Sequence, residues 1–332
     1  MSKHIDLLLR LPGTAEEKTW LEERLKTLSA REKIVLPAAV ERSPPSTMAE
    51  AVNHLLTLKY YKVCPAGSYE QLGEHYLQEA DISQDQRPFF SKEALGQWYK
   101  DKCPGVFSGS WYVVYPDREI PVQYSGWESP QGVRRQDWSV CLKLAAEASP
   151  DGVWLRLPDY RGREEVMCAL GALQTTELDA CTLLEARCAL PCVTDIAGQY
   201  AGRLSDLILD GEELGVILDW CRCEGGKTFD KFLTVLGYKG SCGICDVIDT
   251  FNELHEYEVV GTDDLIDRIT EPLDKEAWAQ HGEPVKGCFD YAAYAAALAE
   301  QQGYQMTDDK QYYIRKRDSP ELEQQLSGMT MQ

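Results

Sequence analysis

The residues in this chain best suited to holding a metal are four cysteines in two close pairs. Cys221-x-Cys223 and Cys242-x-x-Cys245 are separated by 18 residues. Two thiolate pairs are what a tetrahedral zinc ion takes. CxC is the less usual knuckle, however, and Cys245 falls beside Ile244 in a helical apolar pattern, where a packed thiol needs no metal. Zinc binding by Cys221, Cys223, Cys242 and Cys245 is therefore kept as an alternative reading. The sequence has no Gly-rich phosphate loop, no HExxH and no GxSxG. None of the five histidines, His4, His54, His75, His255 and His281, stands beside a nucleophile in a motif. The expectation is a protein that is not an enzyme and needs no cofactor.

Carboxylates form the larger pattern. Asp246, Asp249, Glu253 and Glu256 are spaced 3, 4 and 3 apart, while Ile244, Val247, Ile248, Phe251 and Leu254 fall mostly on the opposite side. On one continuous helix the acids form a single stripe, each step rising by roughly 4.5–6 Å. That spacing is comparable with the charge spacing along a DNA strand. Asp206, Asp210, Glu212, Glu213 and Asp219 precede this stripe, and Asp263, Asp264, Asp267 and Glu271 follow it. Residues 195–283 hold 20 acidic and 7 basic side chains. Like charges one turn apart destabilise a helix by a few tenths of a kcal/mol per pair, so a run of them suggests a use. The plainer alternative is a solvated helix face, with Asp263 and Asp264 as first-turn charges.

The charge is unevenly spread. Of the net −20, residues 1–150 supply −2 (20 acidic, 18 basic) and residues 151–332 supply −18 (34 acidic, 16 basic). Such a field repels nucleic acid and membrane phosphate and attracts basic surfaces. The twelve cysteines in 332 residues lie mostly in apolar patterns, as in "VMCAL" and "DACTLL". They read as packed thiols in a reducing cytoplasm. No apolar run approaches the roughly 20 residues of a membrane span. Arg10 interrupts the first apolar run, so it is not read as a signal peptide.

The elements that must position these residues alternate between strand and helix patterns. Strands are expected at His4–Leu11, in "KIVLPAAV", "YYKVC" and "SWYVVY", in a hairpin from Trp138 to Pro158 turning at Pro150-Asp151-Gly152, and in "TLLEARCALP". Helices are expected from Thr14, where Glu17 completes a capping box, and in "MAEAVNHLLTL", "SYEQLGEHYLQEA", "SKEALGQWYKDK", "REEVMCALGAL", "LSDLILDGEELGVILDW" and "TFDKFLTVLGY". Residues 116–137 read as a connector.

Several stretches recur in order. LRLP occurs at Leu9–Pro12 and Leu155–Pro158, and Leu36-Pro37 matches Leu190-Pro191. "MAEAVNHLLTLKYYKVC" aligns with "ICDVIDTFNELHEYEVV", pairing Ala51 with Val247, Leu55 with Phe251, Leu58 with Leu254, Tyr61 with Tyr257 and Val63 with Val259. "FSKEALGQWYKDKCPGVFSGSWYVVY" aligns with "FDYAAYAAALAEQQGYQMTDDKQYYIRK". The expected fold class is α/β (α+β), with small mixed domains in series, internally duplicated and elongated. Residues 1–137 form a shortened, near-neutral copy. Residues 138–332 form the acidic copy, comprising a hairpin-helix-strand part (138–194), an acidic helical part (195–255) and a C-terminal α/β part (256–332).

The second copy resembles the ArdA-type antirestriction family of conjugative elements and plasmids over most of 138–317. The resemblance rests on "VCLKLAAEASPDGVWLRLPDYRGREEV", on "LLEARCALPCVTDIAGQYAGRLSDL" and on "FDYAAYAAALAEQQGYQMTDDKQYYI", which is similar to the family's DYxAYGxDL segment. It implies an elongated acidic dimer of small α/β domains, without catalysis or cofactor. Such a protein imitates bent B-DNA in the groove of a type I restriction-modification enzyme. The chain differs from the family in its doubled length, its neutral first half, Ala295 where the family has Gly, and the basic run Ile314–Arg317. The expected function is inhibition of a basic-grooved DNA-binding enzyme through the acids named above, with no direct nucleic-acid or membrane binding. The other alternative is an accessory factor of a mobile element that keeps the fold without the mimicry.

Overall fold

The computed structural model describes residues 2–80, 82–127, 129, 130, 138–160, 162–223, 226–240, 243–272 and 289–317. Four helices come first: α1 (Ser2–Leu8), α2 (Ala15–Lys26), α3 (Ala30–Arg42) and α4 (Met48–Thr57). Strand β1 (Lys62–Cys64), helices α5 (Tyr69–Glu79) and α6 (Lys92–Lys102), and strands β2 (Gly105–Ser108) and β3 (Trp111–Val114) follow. Strands β4 (Val140–Ala146) and β5 (Ser149–Leu157), helix α7 (Glu164–Leu173) and strand β6 (Thr182–Cys188) come next. The helices α8 (Ile196–Gln199), α9 (Leu204–Cys223), α10 (Gly226–Lys239) and α11 (Ile244–Asn252) lead to β7 (Tyr257–Gly261) and α12 (Thr262–Pro272). Helix α13 (Tyr291–Gln301) and strands β8 (Gln305–Met306) and β9 (Tyr312–Lys316) close the described chain. The fold is mixed α/β, with three small antiparallel sheets ordered β1-β3-β2, β5-β4-β6 and β7-β9-β8.

Two stretches expected to be strands are helices. Residues 4–8 lie in α1, and "KIVLPAAV" lies wholly within α3. The reason for α3 is local. Ser29 accepts a hydrogen bond from the Glu32 amide at 3.1 Å, and the Glu32 carboxylate accepts one from the Ser29 amide at 2.9 Å. This capping box starts a helix on which Val35, Leu36, Ala38, Ala39 and Val40 are all buried. A fully buried helix and a buried strand both read as continuous apolar runs, so hydropathy does not separate them. The Thr14–Glu17 box of α2 forms as expected.

The expected hairpin is present, but its turn lies at 147–148 and not at Pro150–Gly152. Pro150 to Gly152 belong to β5, beside a register shift between Leu144 and Ala146, and Gly152 has φ +71°. The Pro-Asp-Gly signal therefore marks an irregularity within the strand.

The chain divides into two compact units: residues 1–189 with 200–212, and residues 190–199 with 213–332. The 137/138 border drawn from the sequence falls inside the first unit. Each unit contains one version of the same motif. In the first, β1, α5, α6, β2 and β3 build the sheet β1-β3-β2; in the second, β7, α12, α13, β8 and β9 build β7-β9-β8. A helix and a 3-10 turn precede each version: α4 with Leu58–Tyr60, and α11 with Leu254–Glu256. Ala51 and Val247, Leu58 and Leu254, and Tyr61 and Tyr257 are buried in both; Leu55 and Val63 are buried where Phe251 and Val259 are half-buried.

The shorter landmarks do not correspond. Leu9–Pro12 follows α1, whereas Leu155–Leu157 ends strand β5; Leu36-Pro37 lies inside α3, whereas Leu190-Pro191 follows β6. The two versions also pack differently. Gly73 on α5 and Gly96 on α6 let those helices meet at backbone distance, since a Cβ on either would overlap the other helix's main chain. At the position matching Gly96, α13 carries Ala295, buried with Leu265, Ile269 and Ala299.

Candidate functional site

The acids expected to form one helical stripe do not share one continuous helix. Helix α11 ends at Asn252, Glu253 caps it, and Glu256 lies in the following 3-10 turn. Asp246 serves the start of α11, its carboxylate accepting the Gly243 amide at 3.0 Å. Glu253 is engaged by Lys239 at 3.0 Å and Glu256 by Lys316 at 2.9 Å. Glu258, on β7, accepts Arg315 at 2.8 Å and Arg268 at 3.1 Å. Although partial burial opposes its ionisation, hydrogen bonds from Arg315, Tyr304 and Arg268 hold it down to about 2. The basic run Ile314–Arg317 thus does not simply oppose the acidic field, since Arg315 and Lys316 are paired with carboxylates of the same unit.

What remains is a set of exposed aspartates. Asp249 on α11, and Asp263, Asp264 and Asp267 on α12, are exposed and make no ion pair among the described residues. Glu271 is exposed at the last turn of α12. Between Gly243 and Glu271 the sequence has nine carboxylates and a single Arg or Lys, Arg268, which is engaged by Glu258. The N-terminal end of α12 is where carboxylates are best tolerated, because the unpaired amides there carry partial positive charge.

Of the acids on α9, two have structural work. Both Glu212 carboxylate oxygens accept the Asp159 amide, at 2.8 and 2.9 Å, and burial raises the affinity of this carboxylate for protons. Asp210 accepts the Tyr200 hydroxyl at 2.5 Å. Asp206 faces Arg203 at 3.7 Å in an exposed pair, Glu213 is exposed and Asp219 is half-buried. The expected acidic surface therefore loses Glu212 and Asp210 to internal contacts.

Three of the four cysteines of the zinc alternative lie among the described residues. Cys221 is buried on α9, Cys223 is exposed at its end, and Cys245 is exposed on α11, contrary to the packed thiol expected there. Cys242 lies outside the described residues. Among the described residues no group of three or more His, Cys, Asp or Glu is placed to hold a metal ion.

A second constellation, which the sequence reading missed, is buried in the first unit. Arg24 and Arg156 both reach Glu32, Arg156 at 3.2 Å. Arg31 donates to Glu164 at 3.0 Å and to the carbonyls of Leu58 and Tyr61. The Ser29 hydroxyl donates to Glu165 at 3.0 Å, and the Val63 amide donates to Glu164 at 3.0 Å. Burial would raise Glu32, but Arg156 and Arg24 outweigh it and hold the carboxyl at about 2. For Glu165 the balance is the reverse: burial, reinforced by the Glu32 charge, outweighs Arg31 and the Ser29 hydroxyl and pushes the carboxyl up to about 8. These residues come from α2, α3, β5 and α7, so no local spacing connects them. The weak signal was "REE" at 163–165, where two adjacent acids begin an otherwise apolar helix.

A cleft with a proton-accepting carboxyl between arginines has the ingredients of an acid–base site. This one is closed. The cavity bordered by Arg31, Arg156, Asp159 and Glu165 is only about 20 Å³, one water in size. The arrangement fits a structural ion network that ties α3 to α7. Among the described residues no helix is long and apolar enough to cross a membrane. No family model, curated protein or solved structure matches the chain.

Proposed function

We propose that this chain is a binding protein that places the exposed aspartates of α11 and α12 in the basic, DNA-binding groove of another protein. The observation that carries this reading is the contrast within 243–271. Glu253, Glu256 and Glu258 are paired with cations of their own unit, whereas Asp249, Asp263, Asp264 and Asp267 are exposed without ion pairs among the described residues. Exposed like charges held on rigid helices attract a complementary surface over about a Debye length and accelerate encounter. The resemblance of 138–317 to the ArdA-type family makes a type I restriction-modification enzyme the target to test, with the chain acting as a DNA mimic.

The test is inhibition of type I restriction and modification by the purified full chain, compared with D249N/D263N/D264N/D267N. Truncation at 137/138 is avoided because it would cut through the first unit. Inhibition by the parent chain that is lost in the quadruple variant and weakens with added salt supports the reading. A folded parent chain that does not inhibit overturns the choice of target. Equal inhibition by both proteins overturns the role of the aspartates.

A further inference from the structure

The ion network of the first unit contains a carboxyl that no guanidinium of the described residues hydrogen-bonds. Glu32 and Glu164 each accept hydrogen bonds from a guanidinium. Glu165 is as deeply buried, yet among the described residues its side chain hydrogen-bonds only the neutral Ser29 hydroxyl, and its second oxygen is buried without a hydrogen-bond partner there. We infer that Glu165 is a proton-dependent latch between α7 and the α2–α3 corner, holding most firmly when protonated and opening more readily as pH rises.

The surroundings explain why the proton matters. From α3, Glu165 faces Arg31 and the Glu32 carboxylate, and Arg31 is already bonded to Glu164. Arg24 of α2 and Arg156 of β5 converge on Glu32. The Cys141 thiol of β4 and the Cys168 thiol of α7 lie within reach of its field, and both are held neutral by burial. Asp159 adds a further negative charge, its carboxylate accepting the Glu165 amide at 2.7 Å. The small cavity beside Glu165 is bordered by Lys59 and the exposed Tyr160, whose ring the Lys59 ammonium approaches to 5.1 Å. Ionising Glu165 in place therefore adds a further carboxylate charge to those of Glu32 and Asp159 without adding a donor.

Burial and the Glu32 charge push the closed-state carboxyl up to about 8, while a solvated carboxyl titrates near its ordinary value of 4.5. Between these limits the open state has lost the proton and the closed state keeps it. Opening is thus favoured by up to about tenfold per pH unit, and the effect levels off above about pH 8.

Hydrogen exchange of the full chain tests this directly. After correction for intrinsic exchange, protection of the α7 amides should fall by up to about tenfold per pH unit from pH 6 to 7.5 in the parent protein and stay flat in Glu165→Gln. Parallel profiles in the two proteins would overturn the inference. A carbon-13 titration of the Glu165 carboxyl in the parent protein covers the case in which E165Q does not fold. A midpoint near pH 8 supports the latch, and a carboxyl ionised throughout pH 6–9 overturns it.

Discussion

Gly96 on α6 rests directly on the main chain of Tyr69 on α5, so closely that a Cβ at residue 96 would overlap the Tyr69 carbonyl. The reciprocal contact, Gly73 against Lys92, is equally tight. Since the obstacle is backbone in both cases, no rotamer change relieves it. Gly96→Ala should therefore destabilise the protein by about 1–3 kcal/mol, despite alanine's higher helix propensity. Ala295→Gly, at the matching place on α13, should cost about 1 kcal/mol for the opposite reason, lost propensity. Urea unfolding of the two variants checks the contrast.

Among the described residues of the first unit, Arg31 and Glu164 form the most enclosed ion pair, with side chains 4% and 5% exposed. Arg31→Met removes the cation and leaves Glu164 buried, together with the Leu58 and Tyr61 carbonyls that the guanidinium served. A loss of about 3–5 kcal/mol is expected. Combining it with Glu164→Leu should recover much of that loss, because the stranded charge is gone. A double-mutant cycle by chemical denaturation measures the coupling.

Glu32 titrates in the opposite direction from Glu165. Its folded-state value, about 2, lies below its ordinary 4.5, so it adds stability above pH 4.5 that disappears as pH falls through about 2. Glu32→Gln should be less stable than the parent protein at neutral pH and should lose less stability between pH 4.5 and 2. Thermal melts across that range should show the two curves converging towards acid. Curves that stay parallel would mean that Arg24 and Arg156 do not depend on this carboxylate.

The exposed aspartates should act only as a group. Replacing Asp249, Asp263, Asp264 or Asp267 singly by Asn should change binding of a basic partner by no more than about 1 kcal/mol, as for other exposed charges. Replacing all four should slow association several-fold at low salt, and the difference should shrink as salt rises. Glu256→Gln should do about as much as any one of these, because it leaves the Lys316 ammonium, 2.9 Å away, uncompensated. Stopped-flow association rates against ionic strength would separate these cases.

Much of the architecture was legible in the sequence because local rules determine it. Caps such as Thr14 with Glu17, the two-residue alternation of "SWYVVY", and the paired patterns at 48–64 and 244–260 correspond to elements in the structure. The errors occurred where local signals conflict. "KIVLPAAV" carries β-branched residues and a proline yet forms helix, because the Ser29–Glu32 box starts a helix whose exposed face is very small. The LRLP repeat proved too short to specify structure, and its two copies fold differently.

The sequence by itself determined how much charge the second half carries and which positions are polar, since composition and periodicity are properties of the chain. Only the tertiary structure decided which charges act outward. Lys316 and Arg315 are close to Glu256 and Glu258 because β9 pairs with β7, and that pairing spans more than fifty residues. Glu165 sits among Arg31, Glu32 and Ser29 because α7 packs on α3, over a separation of 136 residues. Coulomb and desolvation energies depend on distance and burial, and neither can be read from spacing along the chain once the partners lie on different elements.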